Sequence, residues 1–244
     1  MERADICIVN LGLAKSRTHA KRIITEKRAF YDGKVIEKVS MIIENPSLIT
    51  INSTFEDSYV GRGAIKLDSA IKNFKLDLNN LVCMDIGAST GGFTQIMLNE
   101  NAKKVYAIDV GTDQLAKSLL NDDRVVSLEN TNFRYLDFEE IGEKVDFVSI
   151  DVSFISLRYI FENLYKFLKE DSKIVALIKP QFECEGKSLN KKGIVKSEQV
   201  IENVIEKVKL YALGNKLGII SVIDSPILGG DGNKEKLALI KGIF

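Results

Sequence analysis

The sequence predicts an α/β protein built on a doubly wound, mostly parallel sheet and preceded by a small α/β module. Three observations predict this architecture. From about residue 60, short apolar runs alternate with amphipathic helical patterns. A glycine-rich turn joins the first of these runs to the next helix. The first 50 residues are different, with a basic helical pattern and nine lysines and arginines against six acidic residues.

The N-terminal module is predicted at residues 1–51. Ser16 can cap a helix over 17–29, whose inner face would carry Ala20, Ile23 and Ile24. The Asp-Gly pair at 32–33 is a turn signal between β-rich pieces at 29–31 and 34–43. A polar stretch at 52–58 predicts a linker, which we place at 52–59, and a second domain follows at 60–244.

The second domain begins with a helix predicted over 63–74, because Leu67, Ala70, Ile71 and Phe74 follow helical spacing. Further helices are predicted near 91–100, 112–120, 156–169 and 197–213. Seven strands are predicted near 81–86, 104–109, 124–128, 145–151, 173–179, 217–224 and 235–242. In such sheets ligands bind at the carboxyl ends of the strands, so the loops after 86, 109, 151 and 179 should face one site.

Composition excludes several classes of protein. The formal net charge is zero, so the overall balance of charge names no partner. Three scattered cysteines and a single histidine, His19, argue against a disulfide framework or a structural zinc site. No apolar run approaches the ~20 residues that span a bilayer. These features predict a reduced, soluble, cytoplasmic protein with no metal and no membrane contact, and they leave the oligomeric state open.

The glycine-rich turn reads MDIGASTGGF at residues 84–93. In a dinucleotide fingerprint the middle glycine lets the backbone approach a pyrophosphate, but Ser89 stands there. Asp85 opens the turn and Asp109 ends the next strand. These acids suit the ribose hydroxyls and the ammonium group of S-adenosylmethionine. The pattern favours that cofactor and leaves two alternatives, an NAD site and a turn without a ligand.

The residues after the later strands indicate which kind of group would receive a methyl. After the fourth strand, DVSF lacks the Pro-Pro-aromatic motif of amino methyltransferases, and Cys184 lacks the preceding proline of a base-carbon nucleophile. The strand ends instead offer Asp151 and Lys179, and a lysine that closes a buried strand is unusual. Lys66 is a candidate second cation, and Glu235 could orient one of the two lysines.

The segments YVGRGAIKL, DIGASTGGF, VYAIDVG, ENTNFRYL, DVSFISL, LIKPQFE and SPILGGDGNKE resemble the TlyA family over nearly the whole chain. That family comprises ribosomal-RNA 2′-O-methyltransferases related to FtsJ, often labelled hemolysins, with a Rossmann-like class I methyltransferase fold. The resemblance implies methylation of cytidine ribose and a catalytic tetrad of Lys66, Asp151, Lys179 and Glu235, in which Lys179 assists deprotonation of the 2′-hydroxyl. The implied cofactor site comprises Asp85, Gly87, Ala88, Ser89, Gly91, Gly92, Phe93, Asp109, Val110, Asn130 and Asp151.

The N-terminal segments RAD, GLAKSR and YDGKV resemble the small RNA-binding domain called the S-four domain, with Ala4 in place of the usual leucine and Arg28 where glycine is common. The implied partner is ribosomal RNA or a ribosomal subunit. The predicted RNA-binding residues are Arg3, Lys15, Arg17, Lys21, Arg22, Arg28 and Arg62. Two other functions stay open, a non-enzymatic RNA-binding factor and a cytolysin, and the latter would need an export signal and an amphipathic insertion segment that the sequence does not display.

Overall fold

The structure, a computed structural model, describes residues 1–243, with the side chains of all of them except residues 55, 56 and 187. The chain forms two compact units, Met1–Ser58 and Tyr59–Phe244. Residue 244, the last of the predicted second domain, lies outside the described residues. The polar stretch at 52–58 falls within the first unit, and the linker at 52–59 stays a prediction.

The first unit packs two helices against short antiparallel strands. Its sheets have the orders β3-β2-β5 and β1-β4. Ala20, Ile23 and Ile24 of the second helix are buried in its core, as the helical spacing predicts, and Ser16 caps that helix by accepting a hydrogen bond from the His19 amide. The elements are β1 Glu2–Arg3, α1 Ala4–Asn10, α2 Arg17–Thr25, β2 Ala29–Tyr31, β3 Lys34–Val35, β4 Ile42–Ile43 and β5 Ile49–Ile51.

Two boundaries in the first unit differ from prediction, and three short elements are not predicted at all. Helix α2 ends at Thr25 rather than 29, because Lys27 adopts a left-handed φ of 57° that helical backbone cannot continue. The β-rich piece at 34–43 is two separate strands, β3 and β4, in different sheets. The short elements β1, α1 and β5 were not predicted, because runs of two to seven residues carry too little periodicity to be recognised.

The second unit is a seven-stranded sheet of order β11-β12-β10-β9-β6-β7-β8, in which β12 alone is antiparallel to its neighbours. The predicted fold class, a mostly parallel α/β sheet with a small N-terminal module, is therefore confirmed. The strands are β6 Val82–Ile86, β7 Lys104–Ile108, β8 Val125–Leu128, β9 Val145–Ile150, β10 Leu168–Ile178, β11 Leu217–Asp224 and β12 Lys236–Gly242. The helices are α3 Gly63–Phe74, α4 Gly92–Asn99, α5 Lys117–Leu120, α6 Phe138–Ile141, α7 Leu157–Leu164, α8 Pro180–Glu183 and α9 Glu198–Gly214.

Helices cover both faces of this sheet. One apolar cluster joins α7 and α9 to the strands, and a second cluster joins α3 and α4 to the opposite face. Strand β6, at the centre, is buried at every residue, as expected for a parallel strand covered on both sides. The carboxyl ends of β6, β7, β9 and β10 consequently share one edge, as the alternation of elements predicts.

Three elements of the second unit differ in length from prediction. The helix expected at 156–169 ends at Leu164, because a 3₁₀ turn at Tyr165–Phe167 leads directly into strand β10 at Leu168. The helix expected at 112–120 is reduced to α5, because Asp113 has a φ of 55° and the amides of residues 113–115 donate to the Glu129 carboxylate. Strand β10 begins at Leu168 rather than 173, and its pairing with β9 shifts register between Leu168 and Lys173. The charged residues at 169–171 interrupt the apolar pattern, so the sequence does not indicate where this strand begins.

Candidate active site

A cavity of about 260 Å³ opens at the carboxyl edge of the sheet. It lies where β6, β9 and β10 end and where α3 and α4 begin. Its wall therefore combines the glycine-rich turn with residues that follow two other strands. The lining residues are Arg62, Gly63, Gly87, Ala88, Ser89, Thr90, Gly92, Phe93, Asp151, Ser153 and Lys179.

The glycine-rich turn passes close to neighbouring backbone at two points. Gly87 has a φ of 85°, and a Cβ at this position would lie 2.5 Å from the Asp151 carbonyl oxygen. A Cβ on Gly92 would lie 2.8 Å from the Ala64 amide nitrogen. Only glycine fits at either place. The turn is therefore packed directly against the Asp151 loop and the start of α3, the two elements that carry candidate reactive groups.

Asp85 lies beneath the turn and outside the lining of the cavity. It is completely buried and accepts hydrogen bonds from the amide and hydroxyl of Thr94 and from the hydroxyl of Ser149. Burial raises the pKa of this carboxyl to about 6 in spite of those bonds. The geometry supports a role in holding β6, α4 and β9 together, rather than the direct contact with a cofactor ammonium that the sequence suggests.

Asp109 follows β7 and is partly exposed beside the turn. Its carboxylate oxygens each accept one bond at 2.7 Å, from the Ser89 and Gly111 amides. Each carboxylate oxygen has a second lone pair, so Asp109 can still accept the hydroxyls of a ribose. Its role in binding the cofactor ribose stays a prediction.

The other predicted cofactor residues divide into lining and rim. Ala88 and Phe93 are buried in the wall of the cavity. Gly91, with a φ of 91°, is the residue before α4. Val110 is 67% exposed, and Asn130 adopts a left-handed φ of 53°. The last two lie next to Asp109, since the Asn130 amide donates to the Gly111 carbonyl at 2.9 Å.

The four candidate catalytic side chains form a chain of alternating charge. Lys66 Nζ lies 2.7 Å from Glu235 Oε2 and 3.9 Å from Asp151 Oδ2. Lys179 Nζ lies 2.6 Å from Asp151 Oδ1. The four come from α3, the end of β9, the end of β10 and the start of β12, so the fold gathers residues up to 169 positions apart. Lys66 and Glu235 are buried, whereas Asp151 and Lys179 line the cavity.

Two residues in this region are not identified by the sequence patterns. Ser153 accepts a hydrogen bond of 2.8 Å from Lys179 Nζ. Phe154 is 90% exposed and has a φ of 62°, a conformation that is rare and costly for a bulky residue. Both belong to the DVSFISL segment, but neither a serine hydroxyl partner nor a strained backbone angle can be read from residue letters alone.

In the first unit, the predicted RNA-binding arginines are engaged with acids. Arg3 and Arg17 both donate to Asp5, which is completely buried. Arg22 and Arg28 donate to Asp57. The basic helical pattern predicts cations that point largely outward, yet the side chains of Arg22 and Arg28 are only 24% and 14% exposed.

Asp57 is the centre of a group that we call the Asp57 cluster, which comprises His19, Arg22, Arg28 and Asp57. Its carboxylate also accepts the Thr54 amide at 2.8 Å, and His19 Nε2 lies 2.9 Å away. Burial by itself raises the pKa of the Asp57 carboxyl, but the bonds from Arg28, Thr54 and His19 outweigh it and hold that pKa far below its usual range. The cluster ties α2 and the start of β2 to the turn at residues 54–57.

Three predicted RNA-binding residues are placed differently. Lys15 donates to the Ser58 carbonyl at 2.6 Å. Lys21 is exposed and makes no ion pair with any residue of the described range 1–243. Arg62 belongs to the second unit, where it donates to the Leu228 carbonyl at 3.0 Å and lines the cavity.

The sheet order, with its one antiparallel strand, and a glycine-walled cavity at the carboxyl edge together define a class I methyltransferase. The family model of the FtsJ-like methyltransferases matches residues 59–241, and that of the S4 domain matches residues 2–47. The chain belongs to the FtsJ-like methyltransferase family. It is an enzyme, and its cofactor is S-adenosylmethionine.

Individual relatives agree over nearly the full length. The chain is 39% identical to the 16S/23S rRNA (cytidine-2′-O)-methyltransferase TlyA of Mycobacterium tuberculosis, over 96% of this chain and 87% of TlyA. It is 37% identical to Hemolysin A of Brachyspira hyodysenteriae, over 97% and 98% of the two chains. A solved structure of a hemolysin candidate from Streptococcus thermophilus superposes with a TM-score of 0.79 at 39% identity, covering 99% of this chain and 88% of that one.

The residues of the site fit the cofactor. The turn at Gly87 leaves no room for a side chain, Asp109 retains free acceptor capacity, and the cavity runs from the turn to Lys179.

Among the described residues, no cluster of histidine, cysteine and acidic side chains could hold a metal ion, and no helix is long and apolar enough to cross a membrane.

Proposed function

We propose that this enzyme transfers a methyl group to the 2′-oxygen of a cytidine ribose in ribosomal RNA. The observation that carries the proposal is the chain of Lys66, Glu235, Asp151 and Lys179 at the wall of the cofactor cavity. A ribose hydroxyl is a weak acid, so its proton must leave as the oxygen attacks, and a lysine amine in this wall can receive it. The activity for which the TlyA relative is named supports cytidine as the target.

Each charged side chain has a distinct part in this proposal. S-adenosylmethionine, when bound, supplies an electrophilic methyl group. Lys179 Nζ, as the neutral amine, would take the 2′-hydroxyl proton as the 2′-oxygen accepts the methyl group. The bond from that methyl to the cofactor sulfur would break with its electron pair left on sulfur. Asp151 stabilises the ammonium that results, from 2.6 Å away. Lys66 limits that stabilisation through its own charge, and Glu235 holds Lys66 in place with the bond of 2.7 Å.

The cofactor would be held at the turn and at the end of β7. The backbone of residues 87–92 would face the cofactor, and Asp109 would accept its ribose hydroxyls, with Val110 and Asn130 beside Asp109. Asp85 acts from beneath by fixing Thr94 and Ser149. Phe93 and Ala88 exclude water from the wall.

Phe154 is proposed to hold the target base. It is the residue after Ser153, its ring is 90% exposed, and its centroid lies 5.0 Å from that of Phe182. Unpaired bases in RNA are commonly held by stacking on aromatic side chains. Strained backbone at an exposed aromatic residue is itself typical of functional sites. A base stacked on Phe154 would keep its ribose beside Lys179.

The S4 domain is proposed to supply part of the RNA affinity, through Lys21 and the exposed faces of Arg3, Arg17 and Lys15. The substrate would be ribosomal RNA, free or within a subunit, and the place of action the cytoplasm, where ribosomes are. In this proposal Arg22 and Arg28 build the domain rather than contact phosphates, because Asp57 already holds them.

The proposal is tested by methyl transfer from tritiated S-adenosylmethionine to ribosomal subunits that lack the modification. We expect label in RNA that digests to 2′-O-methylcytidine. Label in protein, in a nucleobase or in no fraction would overturn the proposed function. The Phe154→Ala variant should keep cofactor affinity and lose affinity for the RNA. Tyr165→Ala, at an exposed aromatic residue in the 3₁₀ turn that follows α7, is the control.

A further inference from the structure

Ser153 is an uncharged residue that contacts Lys179, the proposed base. It follows Asp151 by two residues, is exposed, and lines the cavity. Its Oγ lies 2.8 Å from Lys179 Nζ and accepts a hydrogen bond from it. The Lys179 side chain is itself only 10% exposed, so few other groups can reach the amine.

The two contacts of Lys179 differ in kind. Asp151 Oδ1 is close to the amine, at 2.6 Å, but no described residue gives this buried oxygen an aligned hydrogen bond. The contact with Asp151 is therefore an attraction of charge without directional alignment. Within residues 1–243, Ser153 Oγ is the single aligned hydrogen-bond acceptor of Lys179.

From this difference we infer that Ser153 is a positioning residue, which orients the Lys179 amine so that its lone pair faces the ribose 2′-hydroxyl. The inference rests on the proposed function. A neutral amine has two N–H bonds and one lone pair. With one N–H bound to Ser153 and the other drawn toward Asp151, the lone pair is directed into the cavity. Without Ser153 the amine rotates about its Cε–Nζ bond and presents the lone pair only part of the time.

In the Ser153→Ala variant we expect two effects, a lower turnover and a shift of the pH–rate profile to lower pH. Turnover at high pH falls by about 10- to 100-fold, because misorientation of a reacting group carries a penalty of that size. At the same time the midpoint of the acid limb of the pH–rate profile moves to lower pH. An ammonium donates a stronger hydrogen bond than a neutral amine, so the acceptor favours the protonated lysine, and its removal lets the base form appear earlier.

Controls separate positioning from a structural role. Ser153→Thr keeps the hydroxyl and should restore most of the turnover and the original midpoint. Ser156→Ala removes a hydroxyl from the same loop, one that donates to Glu183 Oε2 at 2.6 Å and caps α7. That variant lowers the stability of the loop but should leave the pH midpoint where it is in the unaltered enzyme. The KM for RNA and the affinity for S-adenosylmethionine should change less than about twofold in Ser153→Ala.

The experiment is a single-turnover pH profile of the three variants on ribosomal subunits, paired with a ¹³C NMR titration of the Lys179 Cε in the full-length enzyme. A lower titration midpoint and slower turnover in Ser153→Ala, both reversed by threonine, support the inference. An unchanged midpoint, or a loss confined to the KM for RNA, overturns it. If the unaltered enzyme transfers no methyl to RNA, the proposed function fails, while the NMR titration still decides whether Ser153 controls Lys179.

Discussion

The molecule contains two ionic clusters that are built from the same kinds of side chain and differ in balance. In the Asp57 cluster one carboxylate is surrounded by His19, Arg22, Arg28 and the Thr54 amide. In the second unit, two lysines alternate with two carboxylates, and Asp151 Oδ1 lacks an aligned donor among the described residues. The first arrangement satisfies its acceptor fully. The second places Lys179, the proposed proton acceptor, and the charged Asp151 at the wall of an open cavity.

The number of bonds that each charged group already makes separates structural from functional charges. Each oxygen of the Asp57 carboxylate accepts at least two bonds from fixed donors, so this group stabilises the fold and has no lone pair left for a ligand. Each oxygen of Asp109 accepts only one such bond and keeps a lone pair for a ligand. A lysine next to a cavity, with one hydrogen bond and one unaligned ion pair, keeps a capacity for proton transfer. If the distinction holds, altering Lys179, the lysine of the second cluster that lines the cavity, should change turnover with little loss of stability, and altering the Asp57 cluster should do the reverse.

The largest expected effect belongs to Lys179→Ala. Loss of general-base assistance should lower turnover by about 10²–10⁴-fold, since this is the usual range for such a group. Affinity for S-adenosylmethionine, measured by calorimetry, should be retained. Lys234→Ala is the matched control, because that lysine is adjacent in sequence to the Glu235 position but pairs with Glu198 on the surface. Comparable losses of turnover in the two variants would mean that the loss reflects the removal of any positive charge and not of a base at this site.

The next effect concerns Asp109, which accepts one bond at each carboxylate oxygen and keeps a second lone pair there for the cofactor ribose. Asp109→Ala removes charge-assisted bonds of ~1.5–3 kcal/mol and should weaken S-adenosylmethionine binding by about 10- to 150-fold. Calorimetric titration of the cofactor provides the measurement. Asp123→Ala, at an exposed aspartate of the same unit, should leave the affinity unchanged. Unaltered affinity in Asp109→Ala would place the cofactor ribose elsewhere.

A third effect tests the structural cluster. Since the pKa of Asp57 is depressed in the folded chain, its contribution is present above the ordinary pKa of an aspartate, near 4, and is lost as pH falls below it. Asp57→Asn should cost about 2 kcal/mol at pH 7 and reduce the acid sensitivity of the first unit. Hydrogen exchange of peptides covering 17–31 in the full chain reports this, with the exposed Asp32→Asn as control. Methyl transfer to RNA that fell without any loss of protection would contradict the structural assignment.

The smallest effect concerns Lys21, the exposed cation of α2 that no described acid holds. Lys21→Glu should lower RNA affinity a few-fold and reduce the slope of log affinity against log salt by ~0.7–0.9, the amount for one lost phosphate contact. Lys34→Glu, on the exposed strand β3, is the comparison. Equal changes in both variants would indicate a diffuse electrostatic attraction rather than a contact through α2.

The sequence predicts most of the candidate active site but not the Asp57 cluster or the contact of Ser153. The glycine-rich turn and the acids after strands were found because a strand-to-helix turn and the shared edge of parallel strands are local patterns. The tetrad was indicated by resemblance to a known family, since Lys66 and Glu235 are 169 residues apart. The Asp57 cluster was missed because a polar stretch reads as solvent-exposed linker, whereas its partners lie 29 to 38 residues earlier in the chain. Ser153 depends on side-chain geometry that no pattern of residues records.

In the proposed mechanism Lys179 acts as a base and not only as a positive charge. Lys179→Arg keeps the charge beside Asp151 but cannot release a proton near neutral pH. Single-turnover methyl transfer to ribosomal subunits by this variant is the most direct test. We predict a rate as low as that of Lys179→Ala, with S-adenosylmethionine still bound. A rate close to that of the unaltered enzyme would show that only positive charge is required at this position and that Lys179 is not the base.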